Sequence, residues 1–127
     1  MCGILALFND SPLSPTDLKS AQQALDSLSH RGPDAEGKYT DSEAGIYMGH
    51  RRLSIIDISS DSNQPMQFGR FVITYNGEIY NYKELRSRLQ GLGHEFKTSG
   101  DVEVLVHAWA EWGENCLELL DGMYAFA

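Results

Sequence analysis

A cysteine at position 2 is the residue whose type and place most clearly suggest chemistry. The chain opens Met1-Cys2-Gly3 and continues into an apolar run over residues 4–8. Removal of Met1 would place a thiol and a free α-amine on one residue. An unperturbed α-amine titrates near ~7.7–8.0 and a thiol near ~8.5, so the amine can act as the base for its own sulfur. The alternative is a structural role, because a lone cysteine is more often a small buried hydrophobe.

Other kinds of chemistry have weaker support in the sequence. The histidines and cysteines show no metal-ligand pattern, so we expect no metal site in this chain. Neither a P-loop pattern nor a glycine-rich dinucleotide turn is present, and we therefore expect no ATP site in it. A thiol protease would pair Cys2 with His30 or His50, but the local sequences around known protease cysteines are absent.

Composition restricts the class of protein further. The 127 residues, 42% of them apolar and 22% charged, predict one globular domain. The formal charge of −8 argues against a nucleic-acid partner or an anionic membrane surface, because both require a basic patch. The apolar run at 4–8 is too short to span a bilayer, and no signal peptide precedes the cysteines. We therefore expect a cytoplasmic location.

The apolar pattern predicts alternating strands and helices. Helices are expected after Ser14 with Pro15 at the first helical position, after Asn81 with Glu84 as a capping box, and after Gly100, with a short one at 116–120. Strands are expected over residues 3–8, 44–48, 52–58, 71–75, 94–96 and from 123 onward. Asn76-Gly77 follows one of these strands, and by itself that pair predicts a tight hairpin turn.

Read together, seven segments resemble, in order, the glutaminase domain of asparagine synthetases. They are Met-Cys-Gly-Ile at residues 1–4, His-Arg-Gly-Pro-Asp at 30–34, the run at 49–57, Gln-Pro at 64–65, the run at 75–81, Ser-Gly-Asp at 99–101 and the run at 121–127. This family consists of class II glutamine amidotransferases, which are N-terminal nucleophile hydrolases. The resemblance implies an α+β fold, a four-layer αββα sandwich. The matching domain covers residues 1–127 and is expected to be incomplete at its C-terminal side, because the family's Ala-Phe-Ala strand continues into further strands.

The resemblance also assigns roles to single residues. Cys2 would attack the side-chain amide of L-glutamine, form a γ-glutamyl thioester and release ammonia, after which water releases glutamate. The Asn76 side-chain amide and the Gly77 backbone N–H would stabilise the tetrahedral oxyanion. Arg52 would bind the α-carboxylate of glutamine, while Glu78 and Asp101 would bind its α-ammonium group. Backbone groups of four further residues would line the same pocket: Leu53, Ser54, Ile55 and Ile56.

Residue by residue, simpler interpretations remain open for this set. Asp101 could be only a helix N-cap, and Arg52 could be a surface residue of a strand. Two arginines stand side by side, and if Arg52 faces the site, strand alternation sends Arg51 to the opposite face.

Residues 53–57 are similar to asparagine synthetases and to relatives in surface-polysaccharide gene clusters, and less similar to amidotransferases that aminate sugar phosphates. No synthetase domain lies in this sequence, so ATP and magnesium are expected only in a synthetase domain of a full-length chain. The ammonia acceptor stays open, and a homodimer is compatible with the sequence. Two alternatives remain: the glutaminase half of another amidotransferase, and an inactive fragment or binding module.

Overall fold

The computed structural model describes residues 2–53 and 63–127. Three helices, a 3₁₀ helix and seven strands lie in these ranges. In chain order they are β1 (Gly3–Phe8), α1 (Pro15–Ser27), β2 (Ala35–Asp41), β3 (Ile46–Arg52), β4 (Met66–Phe68), β5 (Phe71–Ile73), β6 (Tyr75–Ile79), α2 (Tyr82–Gly91), α3 (Asp101–Trp112), the 3₁₀ helix (Gly113–Leu119) and β7 (Gly122–Phe126).

Helix α1 begins as the sequence predicts. The Asp17 N–H donates to the Ser14 hydroxyl oxygen at 3.2 Å, and the Ser14 N–H donates to the Asp17 carboxylate at 2.8 Å, which makes a capping box with Pro15 at the first helical position. Ala21 and Leu25 are the buried residues of this helix. The helix therefore lays one apolar face on the first sheet.

The first sheet has the antiparallel order β1-β3-β2, with β3 in the middle. Alternate residues of β3 face opposite sides of the sheet. Gly49 faces α1, since a Cβ at this position would come within 2.8 Å of the Leu25 side chain. Residues 48, 50 and 52 consequently face away from α1. The sequence did not predict β2, because its alternating charged residues carry only a weak strand signal.

The second sheet pairs β6 with β7 in antiparallel register. Helices α2 and α3 cover its outer face and form the larger apolar core with it, and β4 and β5 form a hairpin that contributes to the same core. Fully buried side chains mark the centre of this core: Ile79, Leu85, Leu89, Val104 and Leu105. The helix predicted after Gly100 is confirmed as α3, which ends at Trp112 with Gly113 as its C-cap. Its N-cap is Gly100, so the interpretation of Asp101 as the N-cap is wrong.

The two sheets face each other, so the layers follow the order α1, first sheet, second sheet, and α2 with α3. The hydroxyl of Thr74, the residue just before β6, donates to the Gly49 carbonyl on β3 at 3.2 Å. The buried His50 ring lies close to the backbone of Tyr75. This is the αββα sandwich of an α+β fold, as the resemblance implied.

The tight turn expected at Asn76-Gly77 is wrong, because both residues lie inside β6. The predicted strand over 71–75 is interrupted at Thr74 and continues as β6. A Cβ at Gly77 would lie 2.4 Å from the Met123 carbonyl oxygen on β7. Glycine is therefore required here for the close approach of two strands rather than for a turn.

Three smaller predictions also differ from the structure. Asn81 precedes α2 but its side chain makes no capping bond; it bonds instead to the Leu119 carbonyl and the Asp121 N–H. Residues 94–96 form no strand, and the short helix expected at 116–120 is the 3₁₀ helix. Of the strand expected at 52–58, only Arg52 and Leu53 lie among the described residues. No helix in the described ranges is long and apolar enough to cross a bilayer.

Candidate active site

Cys2 lies immediately before β1 and is held at two points. Its Sγ accepts a hydrogen bond from the Leu53 N–H at 3.3 Å and lies 3.7 Å from the Leu53 carbonyl oxygen. Its own carbonyl accepts from the Arg31 Nε at 3.2 Å. Because Gly3 pairs with Arg51, the same register places Cys2 opposite Arg52. The sequence-predicted residues Cys2, Arg52 and Leu53 therefore meet at one end of the first sheet.

The two neighbouring arginines have opposite surroundings. Arg52 is 7% exposed and its Nη1 donates to the Asn63 side-chain oxygen at 2.6 Å. Arg51 lies on the α1 side, where its Nη2 is 2.7 Å from Asp26 and 2.5 Å from Glu36. The prediction that the two side chains face opposite sides of the strand is confirmed.

The His-Arg-Gly-Pro-Asp segment at 30–34 makes hydrogen bonds to the backbone at this end of the first sheet. Arg31 holds the Cys2 carbonyl, and the Asp34 N–H donates to the Arg52 carbonyl at 3.0 Å. A Cβ at Gly32 would lie 2.2 Å from the Arg51 carbonyl oxygen, so only glycine permits this contact. The segment, present in the sequence as a family motif, thus positions the backbones of both Cys2 and Arg52.

Strand β6 presents a row of backbone N–H groups along the edge that does not pair with β7. Hydrogen bonds join Thr74 to Ala127 and Tyr80 to Asp121, so alternation turns the N–H groups of residues 75, 77 and 79 to the other edge. The Tyr75 N–H donates to the Gln64 side-chain oxygen at 2.6 Å, and the Ile79 N–H donates to Asp101 at 3.0 Å. Between them, the Gly77 N–H has no partner among the described residues. Gly77 therefore offers an available backbone donor.

The side chain of Asn76 lies on the face of β6 that is turned toward the first sheet, as does that of Glu78. One oxygen of Asn76, Oδ1, is buried and has no hydrogen-bond partner in the described part of the chain. Buried polar atoms without partners are uncommon in folded proteins, because each costs about 1–3 kcal/mol. Packing of the described residues therefore leaves this amide oxygen without a hydrogen bond.

Asp101 links the start of α3 to β6. Its carboxylate is 7% exposed, and the single oxygen Oδ2 accepts from the Tyr75 hydroxyl at 2.7 Å and from the Ile79 N–H at 3.0 Å. Burial, followed by the hydrogen bond to Asp101, raises the pKa of Tyr75, and the nearby charges of Glu78 and Cys2 raise this pKa further. Tyr75 therefore remains a hydrogen-bond donor at neutral pH.

Sequence reasoning missed Tyr75 as a member of this region, because its aromatic ring was counted only as a strand signal. Its hydroxyl is within electrostatic reach of three predicted site residues, namely Cys2, Glu78 and Asp101. The two groups of predicted residues are thereby brought to one region: Cys2, Arg52 and Leu53 from the first sheet, and Asn76, Gly77, Glu78 and Asp101 from the second. Ser54, Ile55 and Ile56 lie outside the described residues.

A second polar cluster lies outside this region. Glu103 and Glu111 stand four residues on either side of His107 on α3, and His94 bonds to both His107 and Glu111 at 2.9 Å. The i, i+4 spacing of glutamate and histidine was visible in the sequence and could have indicated this cluster. Among the described residues, no group of three or more side chains is arranged to hold a metal ion.

Comparison with known proteins places this geometry in a family. A glutamine amidotransferase domain model matches residues 1–127. The chain is 37% identical over 131 residues to asparagine synthetase [glutamine-hydrolyzing] 3 of Bacillus subtilis, covering 100% of this chain and 21% of that protein. It is 41% identical over 128 residues to asparagine synthetase [glutamine-hydrolyzing] of Triphysaria versicolor, covering 99% and 21%. The chain thus spans about a fifth of the length of these curated relatives.

A solved structure agrees with the fold. Glutamine phosphoribosylpyrophosphate amidotransferase from B. subtilis superimposes with a TM-score of 0.77 at 23% identity, covering 97% of this chain and 34% of that one. The chain belongs to the glutamine amidotransferase family, as a class II domain with the fold of the N-terminal nucleophile hydrolases. Glutamine hydrolysis that supplies ammonia is the activity of this class.

Proposed function

We propose that Cys2, with Met1 removed, is the nucleophile of this domain and that its own α-amine serves as the base. The thiolate attacks the side-chain amide carbon of glutamine, and the carbonyl electron pair moves onto oxygen to give a tetrahedral oxyanion. When the oxyanion collapses, the C–N bond breaks and the nitrogen takes the proton held by the amine and leaves as ammonia. Water then attacks the γ-glutamyl thioester, releasing glutamate and restoring the thiol.

The observation that carries this proposal is the Gly77 N–H. It lies between two backbone donors of the same strand edge that are already bonded, by Gln64 and by Asp101, and it alone of the three has no partner among the described residues. A rigid strand edge with an available donor has the character of an oxyanion site. The Asn76 side chain would be the second donor, through its Nδ2 group.

Recognition of free glutamine is assigned to charged groups from both sheets. Arg52 would bind the α-carboxylate, and its burial favours a specific guanidinium–carboxylate pair over a solvated one. Asp101 would bind the α-ammonium through Oδ1, since both of its described bonds fall on Oδ2. Glu78 would add a second negative charge at this end, and the backbone of residues 53–56 would line the pocket.

We further propose that the ammonia serves an ATP-dependent amidation by a synthetase domain, by analogy with the relatives named asparagine synthetase. ATP and magnesium would bind to that domain and not to residues 1–127. A cytoplasmic location and a homodimer are part of the same proposal.

The test is a comparison of Cys2→Ala with Cys116→Ala in the protein at its natural length. Glutamate release from glutamine should fall by more than about a thousandfold in Cys2→Ala. Cys116 is fully buried in the apolar core and is not one of the predicted site residues, so Cys116→Ala should keep the rate to within about twofold. Acid quenching during turnover and intact mass measurement should find a glutamyl adduct on wild type and Cys116→Ala only. Equal rates in the two variants would remove Cys2 from the mechanism.

A further inference from the structure

The segment that leads into α3 is held by a buried carboxylate. Glu103 is 6% exposed, and its Oε1 accepts from the Lys97 N–H at 2.9 Å. Its Oε2 accepts from the Thr98 N–H and the Thr98 hydroxyl, each at 2.7 Å. These bonds lower the pKa of Glu103 against the opposing effect of burial, which is the largest single cause, so the group stays ionised. One negative charge therefore accepts the hydrogen bonds of the Lys97 and Thr98 N–H groups.

A positive charge holds the carbonyl groups of the same segment. Arg86 on α2 donates from Nη1 to the Thr98 carbonyl at 2.8 Å and from Nη2 to the Gly100 carbonyl at 2.9 Å. Its guanidinium also lies over the Phe96 ring at 4.5 Å. The two donors lie on separate nitrogens of a planar fork, a geometry that the single ammonium nitrogen of lysine does not reproduce.

This clamp, which we define as Glu103 and Arg86, holds the segment that leads into a predicted site residue. The clamped segment runs through Thr98 and Gly100 directly into Asp101, whose Oδ2 bonds to the Tyr75 hydroxyl and the Ile79 N–H. The position of the Asp101 carboxylate therefore depends on where the backbone of residues 97–100 enters the helix.

We propose that Glu103 and Arg86 are positioning residues that set the Asp101 carboxylate for the α-ammonium group of glutamine. This inference rests on the proposed role of Asp101. Neither clamp residue touches the substrate; each acts by fixing the backbone that carries Asp101. Loss of the clamp should therefore weaken glutamine binding more than it slows the chemical step, because the ammonium lies away from the reacting amide.

The variant Glu103→Gln preserves shape but removes the charge, and one arm of its amide would place an NH₂ against an N–H donor of the segment. The KM for glutamine should rise about tenfold, as expected for the loss of a bond to a charged group, with kcat within about twofold of wild type. Glu111→Gln is the matched control, because Glu111 lies on the same helix and bonds to His94 rather than to residues 97–100. For the arginine, the KM of Arg86→Lys is compared with that of the control Arg88→Lys. In the wild type, the Arg88 guanidinium lies over the Trp112 ring.

A double-mutant cycle distinguishes positioning through Asp101 from general loosening of the fold. Once Asp101→Asn has been introduced, Glu103→Gln should raise KM by less than about twofold further, because residues that act through one group are not additive. Additive effects would overturn the proposal even though Asp101→Asn by itself raised KM. An unchanged KM in Asp101→Asn would instead show that the proposed role of Asp101 is wrong.

Hydrogen exchange supplies a readout that does not depend on activity. Exchange of the Lys97 and Thr98 amides should accelerate in Glu103→Gln for direct reasons. The informative amide is that of Ile79, which bonds to Asp101 and makes no contact with Glu103 through the hydrogen bonds described. Its exchange should accelerate by about tenfold in Glu103→Gln and not in Glu111→Gln. An Ile79 amide that exchanges at the wild-type rate would mean that the clamp does not position Asp101.

Discussion

The two helical layers of this domain pack against their sheets in different ways. In the layer of α2 and α3, the described residues form a continuous apolar core with the second sheet. In the layer of α1, the cluster contains three buried residues, Leu13, Ala21 and Tyr47. Polar side chains supplement it there, as Gln22 bonds to Asp26, Glu36, Lys38 and Tyr47. The candidate active site lies between one layer that apolar burial stabilises and one that hydrogen bonds orient.

This difference divides the candidate site into two parts that are held in place by different interactions. Asp101 and the β6 edge belong to the apolar layer, where a displaced group would disturb many packed neighbours. Cys2 and Arg52 belong to the other side, where a few directed bonds from residues 30–34 hold them. We therefore expect the stability of the domain and the placement of its proposed nucleophile to be largely separable, and the predictions below test that separation.

The largest effect is expected from the apolar layer. Leu105→Ala should lower the free energy of unfolding by about 3–4 kcal/mol, because this side chain is fully buried at the centre of α3. Leu18→Ala on α1, where the side chain is only partly buried, should lower it by about 1 kcal/mol. Urea unfolding of both variants at one pH measures the difference. Equal losses would mean that the two layers contribute alike.

A second effect concerns the contact between the sheets and depends on pH. Burial, with a smaller contribution from the Arg52 charge, lowers the pKa of His50 to about 4. The unfolded chain therefore binds a proton more readily than the folded one. The contribution of His50 to the free energy of unfolding should be present above about pH 6.5 and should be lost as the pH drops toward 4, by a total on the order of 3 kcal/mol.

The measurement for this pH effect is thermal or urea unfolding between pH 7 and 4. His50→Gln should flatten the dependence, while His30→Gln, at an exposed position, should leave it as in wild type. Burial also lowers the pKa of His107, followed by the charge of His94, so part of the dependence should survive in His50→Gln. An unchanged slope in His50→Gln would assign the effect to other groups.

The third prediction separates chemistry from recognition across the two sheets. Asn76→Ala should lower kcat for glutamine hydrolysis about a hundredfold with little change in KM, as expected for an oxyanion donor. Arg52→Ala should chiefly raise KM, by roughly tenfold or more, because it loses a bond to a ground-state carboxylate. Steady-state kinetics decide the matter. If Asn76→Ala altered only KM, Asn76 would bind substrate and would not stabilise the oxyanion.

The smallest effect is expected at Arg51. Its ion pairs with Asp26 and Glu36 join β3 to α1 and β2 near the surface, and its side chain is 17% exposed. Arg51→Ala should reduce stability by about 1 kcal/mol or less and leave both kcat and KM as they are. A raised KM in Arg51→Ala, with Arg52→Ala unaffected, would reverse the assignment of the two arginines.

Local signals in the sequence predict the helices and part of the site. The N-terminal cap of α1 consists of Ser14 and Asp17, with Pro15 at the first helical position. The hydrogen bonds of this cap are local and need no tertiary partner. Strand alternation correctly separates Arg51 from Arg52 for the same reason. The resemblance to a known family supplied the residues of the site, which periodicity could not have selected.

Features that depend on distant partners could not be predicted. Asn76-Gly77 has the composition of a turn, yet β7 lies beside it and the missing Cβ serves strand contact instead. Asn81 has the composition of a cap, but its side chain is taken up by Leu119 and Asp121, about forty residues away. The pairing of Asp101 with Tyr75 likewise exists only once α3 and β6 have packed together.

The fixed position of Cys2 has a consequence for reaction entropy. Residues near the start of a sequence commonly fray, whereas Cys2 is bound through its sulfur to Leu53, through its carbonyl to Arg31 and through Gly3 to the sheet. The translational and rotational freedom of the proposed nucleophile is therefore lost when the domain folds and not when glutamine arrives. A thiol immobilised in advance presents a high effective molarity to a bound amide, since no further ordering of the attacking atom is needed.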